Sequence, residues 1–194
     1  MGNLTDIGHG LGKYLEISDG DTLPGIEQNR NSIKLLQFKV ATNNNYVMNQ
    51  LVDGVIDAYQ DASGVDAGAS TNETRDGSGE FYWGNGSNLT LQSTATTAKA
   101  QPTQGRIIIF EEAATGTTTI NTDIIAAVSR DGGSTFTAIT LSNDGLYATA
   151  KRILSGSVDI SGQPSGTSMK YKITTHNQSG SKATRIHGAS LLWA

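Results

Sequence analysis

Residues 169–175, MKYKITT, show the alternation on which the fold class depends. Met169, Tyr171 and Ile173 are apolar, and a lysine or threonine follows each of them. Successive side chains of a β-strand point to opposite faces of its sheet. The alternation therefore predicts a strand with one face in a core and the other face in water.

Further short β runs, separated by turn residues, lie on both sides of this strand. From Leu89 to the C-terminus they are LTLQS, GRIIIF, DIIAAVSR, TFTAITL, LYATAKRILSGSVDI and IHGASLLW. No helical periodicity returns in this part of the sequence. Many short strands without alternating helices predict a mainly β protein, with an antiparallel, jelly-roll-like β-sandwich over residues 63–194.

The composition agrees with this fold and argues against several function classes. The 194 residues include 23 glycines, and only 16% of the residues are charged, which suits short strands and many turns. A net charge of −4 argues against nucleic acid as a partner. The absence of cysteine excludes disulfides and thiolate metal sites. No run reaches the about 18 apolar residues of a membrane helix, and no signal-peptide pattern opens the chain, so we expect no membrane partner.

The N-terminal part of the sequence is organised differently. Residues 1–31 carry scattered apolar side chains interrupted by glycines. Each glycine costs about 1 kcal/mol of helix propensity, so an extended or irregular arm is expected. Such an arm either docks on a neighbouring subunit or is a loosely ordered terminus. Residues 32–41, SIKLLQFKVA, have the pattern of a strand.

An amphipathic helix is predicted over residues 43–61, NNNYVMNQLVDGVIDAYQD. Its apolar positions recur at three- and four-residue steps and are Met48, Leu51, Val52, Val55, Ile56 and Tyr59. This stripe packs either beneath the sheet of its own chain or against copies of itself around a threefold axis. Residues 32–62 are therefore expected to be a strand plus an assembly helix, which acts together with the docking arm.

Residues 61–88 form a long polar stretch with one aromatic cluster, FYW. Loops of this length tend to be functional or mobile. Tyr82 and Trp83, followed by the GNG of residues 84–86, are candidate glycan-binding residues, because sugar recognition combines aromatic faces with amide hydrogen bonds. The alternative is that one or both of these side chains cap the sandwich core.

A local motif, SRDGGSTF, begins at Ser129 and ends at Phe136. It resembles the Asp-box, S-x-D-x-G-x-T-W, of sialidases and many other β proteins. Ser129, Asp131, Gly133 and Thr135 match the pattern, and Phe136 replaces tryptophan. In proteins that carry the box it is a structural turn, and an aspartate that accepts hydrogen bonds from turn amides needs no ligand. One box in a chain of this size argues against a sialidase propeller.

No arrangement of residues indicates a catalytic or metal site. A glycosidase needs two carboxylates about 5 to 9 Å apart, and Glu111-Glu112 is the only adjacent pair. Neighbours on a strand point to opposite faces, so two solvated strand-end carboxylates are expected. His9, His176 and His187 lack zinc spacing, and the acidic residues of the polar stretch lack calcium-loop spacing. We expect a non-enzymatic protein without metal or cofactor.

Five stretches between residues 32 and 194 carry a resemblance to known proteins. They are SIKLLQFKVATNNNYVMNQLVDGVIDAYQDASGVD, QPTQGRIIIFEEA, TDIIAAVSRDGGSTFTAITL, KRILSGSVDISGQPSGTSMKYKITT and RIHGASLLW. They resemble a group of bacteriophage proteins, the tail-fibre-like, virion-associated modules of marine and freshwater phages. The resemblance implies a virion structural protein that is assembled in the host cytoplasm, and it supplies no catalytic residues.

Three functions are compatible with these expectations. The first is a surface-exposed fibre or tail-associated component that binds a host surface glycan, with other virion proteins as partners and a homotrimer as the expected assembly. The second is capsid decoration, in which the arm clamps neighbouring capsid proteins and stabilises the head. The third is a glycan-degrading enzyme.

Overall fold

A computed structural model describes residues 36, 39, 40, 51 and 53–194. The chain divides into two compact units, Met1–Gln37 and Phe38–Ala194. Of the described residues, only Leu36 belongs to the first unit. The docking arm predicted for residues 1–31 lies outside the described residues.

Residues 53–194 contain twelve β-strands. They are β1 (Asp53–Asp57), β2 (Thr74–Asp76), β3 (Phe81–Trp83), β4 (Thr90–Gln92), β5 (Thr96–Thr97), β6 (Gln104–Thr115), β7 (Ile124–Ser129), β8 (Thr137–Ile139), β9 (Ser142–Ala148), β10 (Lys151–Asp159), β11 (Ser168–Thr175) and β12 (Ala183–Trp193). The strands pair in antiparallel fashion in two sheets. The mainly β, antiparallel prediction is confirmed.

The seven-stranded sheet has the order β2-β3-β12-β6-β10-β9, and β1 pairs with the far end of β12. The five-stranded sheet has the order β4-β11-β7-β8, and β5 extends the pairing of β11. Strands that are distant in sequence are therefore neighbours in space. In particular, β6 lies between β12 and β10 at the centre of the larger sheet.

The two sheets pack face to face around one apolar core. Ile107 and Ile109 of β6 meet Val128 of β7 and Tyr171 and Ile173 of β11, and each of these side chains is at most 1% exposed. Full burial of one such side chain contributes about 1.5 to 3 kcal/mol.

The apolar face of the MKYKITT strand lies in this core, as its alternation predicts. Its polar face is less open to water than predicted, because Lys170 is only 9% exposed and its Nζ lies 2.6 Å from Asp66 Oδ2. The segment that contains Asp66 therefore covers part of that face.

A second apolar cluster lies on the outer face of the seven-stranded sheet. Ile108, Phe110 and Leu192 are fully buried there, and Leu51 is 7% exposed. The ring of Tyr147 stacks on Phe110 at 4.4 Å. Because β6 alternates its side chains, the same face carries Glu112 further along the strand, where the surface becomes charged.

The helix predicted over residues 43–61 is wrong at residues 53–57. These residues form β1, which pairs with β12 along its whole length. Val55 packs against the core, whereas Ile56 is 36% exposed. The cause is tertiary: the edge of β12 offers backbone partners, and β-branched residues fit a pleated surface better than their spacing suggests. Consequently the sandwich includes residues ahead of the boundary predicted at residue 63.

The other described members of the predicted stripe belong to two different clusters. Tyr59 is fully buried in the core, with a φ of 55°, and its hydroxyl lies 3.2 Å from that of Tyr171. Leu51 packs in the outer cluster. Met48 and Val52 lie outside the described residues.

The strand predicted over residues 32–41 is wrong at its described positions. Leu36, Lys39 and Val40 are helical. A short apolar run does not distinguish a buried strand from a helix, and leucine and lysine are good helix formers. Among the described residues, no helix has the length and apolar character needed to cross a membrane.

The stretch predicted as a long loop, residues 61–88, contains the hairpin of β2 and β3. The turn between these strands is GSGE, residues 77–80. The carboxylate of Asp76, at the end of β2, accepts hydrogen bonds from the N–H groups of Ser78 and Gly79 at 2.9 and 2.7 Å. Asp-Gly is a recognised hairpin signal, and the adjacent aromatic run has high β-propensity. The hairpin extends the seven-stranded sheet beyond β12.

Candidate functional site

A row of aromatic and charged side chains crosses four neighbouring strands on the outer face of the seven-stranded sheet. We call it the cross-strand row, and its members are Phe81 and Trp83 on β3, Arg185 and His187 on β12, Glu112 on β6 and Lys151 on β10. Three inter-strand spacings make it roughly 14 Å long. It continues the outer face beyond the apolar cluster.

The strand register centres the charges of the row on Glu112. Arg185 and Lys151 lie directly opposite Glu112 on the two flanking strands. The Oε2 atom of Glu112 is 3.7 Å from Lys151 Nζ and 3.8 Å from Arg185 Nη1. Opposite charges at directly paired positions stabilise a sheet, so this register supports both the fold and the cluster.

His187 joins the row because β12 is irregular at this point. The pairing of β12 with β6 shifts register between Ile186 and Gly188, and His187 is the additional residue. Its Nε2 lies 2.6 Å from Glu112 Oε2, and its side chain is 4% exposed. The imidazole is thus hydrogen-bonded to the carboxylate.

The surroundings of Glu112 favour its ionised form. The hydrogen bond from His187 holds the pKa of this carboxyl below its usual range, and the charges of Lys151 and Arg185 act in the same direction. Burial opposes them but is outweighed. Glu112 is therefore a carboxylate at neutral pH.

The aromatic end of the row holds the guanidinium of Arg185. Its carbon lies 4.6 Å from the ring centre of Phe81 and 5.5 Å from that of Trp83, within cation–π range. Phe81 is positioned by its own hairpin, because a Cβ at Gly79 would lie 2.3 Å from the Phe81 ring. Only a glycine at that position lets the ring lie where it does.

The parts of the row that meet solvent are a ring and two cations. Trp83 is half-buried, and the side chains of Arg185 and Lys151 are 33% and 31% exposed. Glu112 is 16% exposed and lies beneath them. An aromatic face beside hydrogen-bond donors can hold a sugar ring and its oxygen substituents.

The two predicted glycan-binding residues point to opposite faces of the sheet. Trp83 lies in the row, whereas Tyr82 is 3% exposed and packs edge-to-face on Tyr59, with ring centres 4.9 Å apart. Adjacent residues of β3 alternate, so only one of the two can face outward. Tyr82 is a core residue, which agrees with the alternative that one of the two side chains caps the sandwich core.

Neither carboxylate of the Glu111-Glu112 pair is a solvated strand-end group, against the expectation, and Glu112 is half-buried. Glu111 is fully buried on the opposite face, where its Oε2 lies 2.8 Å from Arg152 Nε. Its Oε1 has no hydrogen-bond partner among the described residues. Both groups are largely withdrawn from solvent because β6 is a central strand. Arg152 on β10 pairs with Glu111, and Lys151 and Arg185 on the two flanking strands pair with Glu112.

Sequence reasoning missed Lys151, Arg185, His187 and Glu112 as members of one site. They lie on three strands whose neighbourhood depends on the order of the sheet, and no local motif encodes that order. The detectable signal was the alternation of residues 81–83, which places Phe81 and Trp83 on one face of the strand and Tyr82 on the other.

The Asp-box-like turn lies on the other sheet, between β7 and β8, and its polar groups bond to each other. Asp131 Oδ1 accepts hydrogen bonds from the Thr135 N–H at 2.9 Å and the Ser129 hydroxyl at 2.7 Å. Gly133 has a φ of 94° and donates its N–H to Ser129 Oγ. Phe136 is half-buried beneath the ammonium of Lys172, which is 4.2 Å from the ring centre.

Asp57 is a half-buried carboxylate with unusual surroundings. Its Oδ1 accepts the Tyr59 N–H at 2.8 Å, but its Oδ2 is buried without a hydrogen-bond partner among the described residues. Burial raises the pKa of this carboxyl. Asp57 borders a cavity of about 280 Å³ between β1 and β11. The unpaired Oδ2 atom of Asp57 is not accessible to solvent, so the cross-strand row is the better candidate for binding a ligand.

The acidic residues of the polar stretch serve the local structure. Asp61 accepts hydrogen bonds from the backbone and side chain of Ser63, and Asp66 pairs with Lys170. Within the part of the chain that the structure describes, no three histidine or carboxylate side chains are grouped to hold a metal ion.

No family model matches the chain, and a comparison with curated proteins also finds no match. Among solved structures, the chain is similar to the C-terminal CBM6 of LamC, a marine laminarinase from Zobellia galactanivorans. The identity is 12% and the TM-score 0.42, and the match covers 72% of this chain and 99% of that one. It is also similar to TmCBM61 in complex with β-1,4-galactotriose, with 9% identity, a TM-score of 0.36 and coverage of 77% and 94%. With sequence identities and TM-scores this low, neither structure identifies a function for this chain.

Proposed function

We propose that the chain is a non-catalytic glycan-binding module and that the cross-strand row is its binding surface. The observation that carries the proposal is the half-buried ring of Trp83 beside the exposed tips of Arg185 and Lys151. A sugar ring can stack on the indole while the two cations donate hydrogen bonds to its oxygens. The underlying strands fix these side chains before a ligand arrives, which lowers the entropic cost of binding.

The states of the nearby carboxylates support a role without catalysis. A glycosidase needs one carboxylic acid that can donate a proton near neutral pH. Glu112 has a lowered pKa and is surrounded by cations, so it is a poor donor. Glu111 points to the opposite face and is fully buried with Arg152.

The proposal is tested by replacing the exposed ring in the full chain. Trp83→Ala should weaken binding to the best ligand of a glycan array roughly thirty-fold, since truncation of an aromatic anchor costs about 2 kcal/mol. Phe136→Ala is the matched control, because Phe136 is also half-buried beneath a cation but lies on the other sheet. Equal affinity of Trp83→Ala and the wild type would refute the proposal. Release of shorter oligosaccharides during the assay would contradict its non-catalytic part.

We also propose that the module is displayed on a bacteriophage particle, where it binds a host surface glycan as a fibre or tail-associated component. The resemblance over residues 32–194 supports this location. Quantitative mass spectrometry of purified particles separates the fibre from capsid decoration, because a decoration protein is abundant enough to cover the head. Light scattering of the purified chain tests the expected homotrimer, and a monomer would exclude it.

A further inference from the structure

The charge of the cross-strand row indicates which class of glycan it binds, an inference that rests on the proposed function. We infer that the row binds anionic glycans, whose sugars carry carboxylate or sulfate groups. The inference follows from the balance of charge in the row, the exposure of that charge and its position beside the aromatic ring.

The row carries excess positive charge in an acidic protein. Arg185 and Lys151 contribute two positive charges and Glu112 contributes one negative charge. The row is therefore positive by one charge when His187 is neutral, and by more when it is protonated. The whole chain has a net charge of −4, so this local excess is opposite in sign to the molecule as a whole.

The positive groups are also the accessible ones. About a third of each cationic side chain is exposed, at 33% for Arg185 and 31% for Lys151, against 16% for Glu112 beneath them. The neighbouring carboxylate on the aromatic side, Asp76, already accepts hydrogen bonds from two amides of its own turn. The cations of the row are therefore more exposed than its carboxylate.

Arg185 retains donor capacity for an anion. Its nearest approach to Glu112 is 3.8 Å, which is too long for a hydrogen bond. Its Nε is buried and out of reach of a ligand, so the donors that remain are those of the two Nη groups. A guanidinium in this state suits a planar or tetrahedral anion, because its donors match two oxygens at once.

The distances fit a sugar that carries its charge next to the ring. The guanidinium carbon of Arg185 lies 5.5 Å from the ring centre of Trp83. A pyranose stacked on that indole would bring an attached carboxylate or sulfate within reach of the guanidinium. Nucleic acid is a poorer fit, because it needs a longer track of cations and a series of stacking platforms.

The experiment measures the affinity of the full chain for four probes by calorimetry. The probes are tetragalacturonate, a sulfated galactan tetrasaccharide, neutral galactotetraose and a single-stranded DNA oligonucleotide of the same charge as tetragalacturonate. One or both anionic glycans should bind about ten-fold or more tightly than the neutral one at low salt, and the advantage should shrink between about 0.02 and 0.3 M salt. The first two probes distinguish a carboxylate from a sulfate ligand.

A lysine variant tests the role of charge at this site. Lys151→Gln should lower affinity for the anionic glycan roughly five-fold and affinity for galactotetraose by a smaller factor, because glutamine keeps a hydrogen-bond donor but removes the charge. Lys99→Gln is the control, since Lys99 is exposed on the loop after β5, a strand of the other sheet, and is not a member of the row. Thermal unfolding of both variants shows whether they remain folded.

The outcomes separate this inference from the proposed function. Equal binding of neutral and anionic tetrasaccharides overturns the inference and leaves glycan binding intact. Failure to bind any glycan overturns both. Tighter binding of the oligonucleotide than of either anionic glycan overturns the inference in favour of general polyanion binding.

Discussion

Replacing Glu112 with glutamine should destabilise the protein in a pH-dependent manner. The carboxylate is the common partner of His187, Lys151 and Arg185. Glutamine keeps the shape of the side chain and an oxygen acceptor, but it removes the charge. The substitution therefore isolates the electrostatic contribution of the site without creating a cavity.

The contact distances of Glu112 set the expected loss of unfolding free energy. The contact between Glu112 Oε2 and His187 Nε2 is 2.6 Å long, and the side chains of Glu112 and His187 are 16% and 4% exposed. A hydrogen bond to a charged group contributes about 1.5 to 3 kcal/mol, of which the glutamine acceptor retains part. Lys151 and Arg185 lie at 3.7 and 3.8 Å and are about one-third exposed, so each adds only about 0.2 to 1 kcal/mol. We expect a loss of about 2 kcal/mol at pH 7.

Urea denaturation of Glu112→Gln and the wild type from pH 7 to pH 3 tests this reasoning. The folded-state pKa of Glu112 is lowered, so its contribution is complete above the unfolded value of about 4.3 and is lost as the pH falls through the folded value. The difference in unfolding free energy should therefore narrow on acidification. A difference that stays constant down to pH 3, or that is absent at pH 7, would refute the electrostatic account.

Two further predictions concern residues outside the row. Arg130 is 2% exposed and donates hydrogen bonds to the carbonyls of Pro102, Ser161, Gln163 and Pro164. Arg130→Met should therefore lower the free energy of unfolding, measured in urea, by about 3 kcal/mol or more. A loss below about 1 kcal/mol would contradict this prediction. Asp57 has a raised folded-state pKa, so its contribution is present below the unfolded value of about 3.9 and is lost as the pH rises through the folded value. The stability of the wild type relative to Asp57→Asn should consequently fall as the pH rises above about 4, and parallel pH profiles would contradict it.

The sandwich could be predicted because its signal is local. In the MKYKITT strand each apolar residue is buried in the core, as alternation requires, and the turn that begins at Ser129 forms from residues within eight positions of one another. The strand β1 could not be predicted in this way. Its backbone partners lie on β12, more than 130 residues away, and that pairing overrides a helical spacing.

For the same reason, the candidate site could be predicted only in part from the sequence. Trp83 could be selected by its residue type, but its separation from Tyr82 depends on which face of β3 meets the core. The charged members of the row come together only because β6 lies between β12 and β10, and His187 joins them through an irregular register. Periodicity does not encode strand order, and it does not encode a bulge.

Glu112 connects the stability of the fold with the proposed selectivity of its surface. The carboxylate stabilises the sheet by pairing with cations on both sides, and the same charge partly cancels the field that an anionic ligand would feel. Removing it should thus have opposite effects on the two properties. Glu112→Gln should unfold at lower urea concentration and yet, where folded, bind tetragalacturonate more tightly than the wild type at low salt. Weaker binding by the folded variant would indicate that Glu112 itself contacts the ligand, and the row would then be a site for neutral sugars with the carboxylate as a hydrogen-bond acceptor.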